Sequence, residues 1–227
     1  MNPGNRGWII VIQNVTTSDS HLIVLDQDQA SGDSLGCLLR AHRHQCVILN
    51  HIDQLNAYKI PENKSPLLLV DVGPNLERDH LLHRFVEEHS DLPFIAMSCS
   101  SGVNLAVAYT RMGAVSFLQK PIPLDMLIQA VKSAMQISMN IQHYKQQRKV
   151  FEQRLLKLSQ REQEVMYMVV DGLSSSQIAR ELNISIKTVS LHRTNLMNKL
   201  EANGVVQLVR TVIPTPMSMP LNHWQSS

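Results

Sequence analysis

Five short apolar runs set the strongest limit on how this chain folds. They are Leu22–Leu25, Cys46–Leu49, Leu67–Val70, Phe94–Met97 and Val115–Leu118, and helix-length segments separate them. Those segments carry apolar residues at three-to-four spacing, as in Leu81, Leu82, Phe85 and Val86, or Leu124, Leu127, Ile128, Val131 and Met135. Unbroken apolar runs suit strands covered on both faces, and strand–helix alternation implies a parallel sheet. The spacing therefore predicts an α/β domain of five parallel strands over residues 21–134. Ligand sites of such sheets lie beyond the C-terminal ends of the strands. The residues there are Asp26 and Asp28 after the first run, Asp71 after the third, Ser98 after the fourth and Lys120 after the fifth. Carboxylates are hard ligands for Mg²⁺, and a carboxylate can attack phosphorus. A hydroxyl and a lysine can hold phosphoryl oxygens. Since any α/β sheet has polar residues at its strand ends, the convergence matters more than any single residue.

Beyond the sheet, residues 135–154 are polar and free of Pro and Gly. They read as the last helix continuing into an exposed linker helix, because a flexible linker carries Gly, Ser or Pro. Residues 213–227 hold three prolines and no periodicity, and are expected to be disordered. Residues 1–20 form an extension in which Trp8–Gln13 either adds an edge strand or lies loose.

Residues 155–212 carry successive helix signals. Ser159-Gln-Arg-Glu162 and Ser174-Ser-Ser-Gln177 are capping boxes, in which the Ser hydroxyl and the acid or amide each satisfy an orphan backbone N–H. Gly172 is placed to end the first helix, and Ser185 to cap a third after the turn Leu182-Asn183-Ile184. The result is a helix-turn-helix inside an all-α domain. On the third helix, Val189, Leu196, Met197 and Leu200 form a packing face. Lys187, Ser190, Leu191, Thr194 and Asn198 form the opposite face, which suits a major groove. His192, Arg193, Asn195 and Lys199 flank it and can reach phosphates. Spacing alone also fits an ordinary solvated helix.

Leu158-Ser-Gln-Arg-Glu-Gln-Glu-Val165, Gly172-Leu-Ser-Ser-Ser-Gln-Ile-Ala179 and Leu182-Asn-Ile-Ser-Ile-Lys-Thr-Val-Ser-Leu-His-Arg193, followed by Asn195-Leu-Met-Asn-Lys-Leu200, together resemble the LuxR/NarL/FixJ-type DNA-binding domain. The resemblance implies a four-helix domain that binds double-stranded DNA as a homodimer. It makes Thr188, Ser190, Leu191 and Thr194 base readers, and Lys187, His192, Arg193 and Lys199 phosphate contacts. It gives the last helix, with Val205, Leu208 and Val209, a dimerisation role. Ser175-Ser176 departs from the Asn-Lys usual in the family.

The N-terminal block, through Leu22-Ile-Val-Leu-Asp26, Leu67-Leu-Leu-Val-Asp71, Phe94-Ile-Ala-Met-Ser98 and Gly113-Ala-Val-Ser-Phe-Leu-Gln-Lys120-Pro121, resembles a flavodoxin-like response-regulator receiver. That likeness implies Asp71 as phosphoacceptor and Asp26 as a ligand to Mg²⁺ alongside Asp71. It makes Ser98 and Phe117 switch residues and Lys120 the phosphate-site lysine, joined to Pro121 by a cis bond. Two features depart from the receiver pattern. The usual acidic pair is Asp26-Gln27, with Asp28 one residue late as a substitute ligand, and Pro74 arrives early in the loop after Asp71. The linker favours the FixJ-like branch.

Charge agrees with this division. Residues 140–211 carry eleven Lys/Arg against six Asp/Glu, and the rest ten against thirteen, which suggests a polyanion partner for the C-terminal block. No run approaches the ~18 apolar residues of a bilayer span. Cys37, Cys46 and Cys99 show no metal spacing and are expected to be buried free thiols in a reducing cytoplasm. Enzyme motifs such as G-x-S-x-G or a phosphate loop are absent. The expectation is a non-enzymatic transcription regulator of a two-component system, phosphorylated by a sensor histidine kinase. Two alternatives stay open. One is a phosphorylation-independent pseudo-receiver controlled by a ligand or protein partner. The other is a phosphate-carrying adaptor with vestigial DNA binding.

Overall fold

A computed structural model describes residues 20–73, 80–100 and 102–212. Trp8–Gln13, Pro74 and the segment 213–227 lie outside these residues. The chain divides into two compact units, residues 1–138 and 139–227.

The first unit is an α/β sandwich. Its strands are β1 (Ser20–Leu25), β2 (Cys46–Leu49), β3 (Ser65–Asp71), β4 (Phe94–Ser98) and β5 (Ser116–Gln119). They form one sheet in the order β2-β1-β3-β4-β5, and every pairing is parallel. Helices α1 (Gln29–Ala41), α2 (Ile52–Ala57), α3 (His80–Glu88) and α4 (Val103–Arg111) connect them, and α5 (Leu124–Leu155) follows β5.

The two-residue period of a strand sorts the core into two layers. Ile23, Leu25, Leu68, Val70, Phe94 and Ala96 pack with Leu82, Phe85, Leu105 and Tyr109 of α3 and α4. Leu22, Val24, Leu67, Leu69, Ile95 and Met97 face the other way, onto Leu39 of α1 and Leu127, Val131, Ala134 and Met135 of α5. This explains why the central runs are continuously apolar: both faces are covered. Helix α1 lies close to β2 because Gly36 lacks a side chain; a Cβ there would stand 2.5 Å from Ile48 Cδ1. The cysteines are free, but Cys37 and Cys99 are exposed and Cys46 is half-buried, which corrects the expectation of buried thiols. Cys37 lies on the solvent side of α1, and Cys99 follows β4 where the chain leaves the sheet.

Helix α5 continues unbroken through the polar segment after the first core. Its far end is not purely linker, since Phe151 is buried in the second core and Leu155 packs against it. That core joins α6 (Gln160–Val170), α7 (Ser175–Glu181), α8 (Ile186–Leu200) and α9 (Val205–Val212) through Val165, Met166, Val169, Ile178, Val189, Leu196, Leu200 and Leu208.

Candidate functional site

Between β1 and β3 the strand order reverses direction, and the connections leave on opposite faces of the sheet. In parallel sheets this point, at the C-terminal strand ends, is where a ligand crevice forms. Asp26 follows β1 and Asp71 ends β3, so the two acids flank this crevice. Lys120 follows β5; its backbone N–H donates to Ser98 O (2.7 Å), and a cis peptide precedes Pro121. Its side chain crosses the strand ends. Lys120 Nζ lies 2.9 Å from Asp26 Oδ2 and 2.6 Å from Asp71 Oδ1. The first contact is an aligned hydrogen bond. The second is an ion pair off hydrogen-bond alignment, so Asp71 Oδ1 is buried beside a charge without an aligned donor.

Burial differs between the two carboxylates. The Asp26 side chain is fully buried, and that of Asp71 is 27% exposed. Asp26 Oδ1 accepts the Asp28 N–H (3.0 Å), and Oδ2 accepts the Ser31 hydroxyl (2.7 Å). Burial pushes the Asp71 carboxyl above its ordinary range; Lys120 opposes this, and the nearby Asp26 and Asp28 charges add to it. For Lys120, burial pulls the ammonium down, but Asp71 and Asp26 together hold it above its usual value.

Asp28 takes another position from the one expected of a metal ligand. Its Oδ1 accepts the backbone N–H groups of Ala30 (2.9 Å) and Ser31 (3.2 Å), which caps α1. An acid one residue late falls at the helix N-cap, where orphan N–H groups compete for it. Ser98 is buried, and its hydroxyl donates to Val72 O (2.9 Å). Phe117 is partly buried and stacks on the fully buried Tyr109, with ring centroids 6.3 Å apart. Ser31 went unrecognised in the sequence. No local pattern marks it, because its partner Lys120 is far away along the chain.

In the second unit the helix signals fall where their chemistry requires. Ser159 and Ser174 form complete capping boxes with Glu162 and Gln177, and Ser185 accepts the Thr188 N–H (3.0 Å). Gly172 ends α6 at φ +85°, a left-handed conformation natural to glycine. Asn183 takes φ +50° in the turn between α7 and α8.

Helix α8 buries Val189, Leu196 and Leu200 and exposes Lys187, Ser190, Leu191 and Thr194 on the other side. Thr188 is half-buried, with its hydroxyl 2.8 Å from that of Ser185. His192 and Arg193 are half-buried flanking residues, and Arg193 Nη1 lies 3.5 Å from Ser175 Oγ.

Lys199 is engaged inside the unit. Its Nζ donates to Glu162 Oε2 (2.6 Å), which also accepts the Ser159 N–H (2.8 Å). Lys199 above all, with the Ser159 N–H assisting and burial opposing, holds the Glu162 carboxyl below the usual carboxylate range. In α9, Leu208 is buried in its own core, so it presents no surface to a second copy. Val205 and Val209 are half-buried, and Val206 is the exposed apolar residue. A hydrophobic run alone does not distinguish an inward from an outward position on so short a helix.

Residues 156–212 match the bacterial regulatory proteins of the luxR family. The transcriptional regulatory protein FixJ of Bradyrhizobium diazoefficiens is 32% identical over 204 residues, covering 88% of this chain and 98% of that protein. The response regulator protein TmoT of Ectopseudomonas mendocina is 28% identical over 216 residues, covering 92% and 93%. The solved structure of the response regulator StyR superposes with a TM-score of 0.68 at 25% identity, covering 86% of this chain and 98% of that one. A receiver sheet followed by a LuxR-type helix-turn-helix defines the class of transcriptional response regulators. Within that class, the chain belongs to the FixJ family. Its relatives are transcription regulators rather than enzymes. Among the described residues no helix is long and apolar enough to cross a membrane.

Proposed function

We propose that this chain is a cytoplasmic regulator whose Asp71 accepts a phosphoryl group from a sensor histidine kinase, and that this tunes homodimerisation and promoter binding through α8. The observation that carries this reading is the meeting of Asp26, Asp71 and Lys120 in the crevice, with Asp71 the more exposed of the two acids. A partly exposed carboxylate can reach a phosphohistidine. One Asp71 oxygen forms a P–O bond as the P–N bond breaks, and the imidazole leaves with the bonding electrons. Lys120 shifts from Asp71 to the phosphoryl oxygens, which carry the charge after transfer. The Ser98 hydroxyl exchanges Val72 O for a phosphoryl oxygen, and the room this leaves is felt at Phe117.

The donor set fits Mg²⁺, which takes one or two carboxylates and retains waters. Asp26 and Asp71 would hold it, and the buried Asp71 Oδ1 without an aligned donor favours a cation beside it. Gln27 adds no charge, and one oxygen of Asp28 is committed to the α1 cap. When bound, the cation neutralises charge on the transferring group.

On the DNA side, Lys187, Ser190, Leu191 and Thr194 form the reading face. Thr188, His192 and Arg193 stand at its margins. Val205, Val206 and Val209 supply the dimer contact. A dimer of this kind reads a pseudo-palindromic site. Lys187→Ala should lower the slope of log affinity against log salt by about one.

A specific observation also supports the pseudo-receiver alternative: Lys120 already supplies the two acids with an internal cation. Intact mass spectrometry of the chain with MgCl₂ and a small phosphodonor, beside Asp71→Ala, separates the readings. An Asp71-dependent phosphoryl adduct supports phosphorylation. Its absence in folded, DNA-binding protein favours the pseudo-receiver.

A further inference from the structure

Ser31 occupies a place that neither the helix it begins nor the receiver pattern explains. It is the third residue of α1, and its backbone N–H is fixed by the Asp28 cap. A serine in a helix commonly turns its hydroxyl back to the preceding turn. Ser34, three residues on, does so, donating to Ala30 O at 2.7 Å. The Ser31 hydroxyl instead points into the crevice. It donates to Asp26 Oδ2 at 2.7 Å and accepts from Lys120 Nζ at 3.2 Å. With the contact between Lys120 and Asp26 at 2.9 Å, the three groups close a triangle.

An ammonium has three N–H donors and no acceptor. Lys120 has three oxygens around it: Asp26 Oδ2, Ser31 Oγ and Asp71 Oδ1. Asp26 Oδ2 and Ser31 Oγ are its two aligned acceptors, and Asp71 Oδ1 stands off alignment. We propose that Ser31 is a positioning residue of the acid crevice, whose hydroxyl pins Lys120 onto Asp26 and so sets how readily Lys120 yields the two carboxylates to a divalent cation. The second half rests on the proposed Mg²⁺ site; the pinning does not.

The sign follows from competition. Lys120 and a divalent cation seek the same oxygens, Asp26 Oδ2 and Asp71 Oδ1. The bond from Lys120 to Ser31 exists only while Lys120 is in place. Removing it weakens the lysine-filled arrangement and leaves the carboxylates present. Cation binding therefore tightens. The late acid Asp28 acts here indirectly, by capping α1 and thereby setting Ser31 where its hydroxyl reaches Lys120.

The experiment uses the full-length chain with Ser31→Val, which removes the hydroxyl, and Ser31→Thr, which has the shape of valine and keeps the hydroxyl. In cation-free protein, the Lys120 ammonium resonance is followed by nitrogen-15 NMR and assigned by its loss in Lys120→Arg. A pinned ammonium exchanges its protons slowly enough to be seen. The signal is expected in wild type and Ser31→Thr, and is broadened away in Ser31→Val. Titration with MgCl₂ by calorimetry should then show Ser31→Val binding at least about threefold tighter, with Ser31→Thr within about twofold of wild type. An unchanged ammonium signal in Ser31→Val overturns the pinning. A lost signal with unchanged or weaker Mg²⁺ affinity overturns the control of the cation. If no variant, Lys120→Ala included, binds Mg²⁺ while the signal behaves as expected, the pinning stands and the proposed metal site falls.

Discussion

Glu162 shows how one side chain can serve two levels of structure. It closes the capping box of α6 and receives Lys199 from α8, so a helix start and a helix–helix contact share one carboxylate oxygen. Its ionised form is favoured by folding, because its carboxyl titrates below the usual range. The resulting stabilisation is complete above the ordinary glutamate pKa of about 4.3 and is lost as pH falls through the lower folded value. Glu162→Gln should therefore cost up to about 1.5–3 kcal/mol at neutral pH, the range for charge-assisted hydrogen bonds. Urea unfolding of the two proteins should converge in acid. A gap that persists at low pH would show that the charge is not what matters. The same contact gives Lys199 a role in packing α8 against α6. Lys199→Ala should reduce stability and change the salt dependence of DNA affinity less than Lys187→Ala does.

Among the elements, α8 divides most sharply between packing and display. Leu196 is fully buried and Leu191 is 58% exposed, five residues earlier on the same helix. Leu196→Ala should destabilise the second unit by about 2–5 kcal/mol. Leu191→Ala should stay within about 0.5 kcal/mol of wild type, since it leaves no cavity. Equal costs from denaturant midpoints would contradict the two-faced reading. This division was legible in the sequence because helical periodicity states it directly. So were the strands, whose doubly covered faces require unbroken apolar runs. The crevice was legible only in part. Asp26, Asp71, Ser98 and Lys120 are given by position at strand ends, which is a property of the sheet. The cap made by Asp28, the placement of Ser31, the burial of Leu208 and the exposure of Cys37 and Cys99 depend on how a side chain turns once its neighbours arrive. No local pattern encodes that.

At the scale of the whole chain, α5 contributes to two separate cores. Leu127, Val131, Ala134 and Met135 belong to the sheet, and Phe151 to the helical unit. Each core closes on itself, so residues 1–138 and 139–227 should each give a dispersed NMR spectrum when expressed alone. The isolated helical unit should keep the salt slope of the full chain on DNA, because the basic face of α8 lies wholly within it. A collapsed spectrum for 139–227 would mean that its core is not self-sufficient.

The strand order also constrains how the protein is made. Of the described strands β1 is the first to leave the ribosome, yet it sits between β2 and β3. It can pair on both edges only after Ser65–Asp71 has been synthesised. Until then an almost wholly apolar strand waits with one or both edges open, the condition that favours association between nascent chains. The helical unit arrives last and is built from near neighbours, so it closes quickly. Slower synthesis at reduced temperature should therefore raise the soluble yield of the full chain and of the isolated receiver, and leave that of the helical unit almost unchanged.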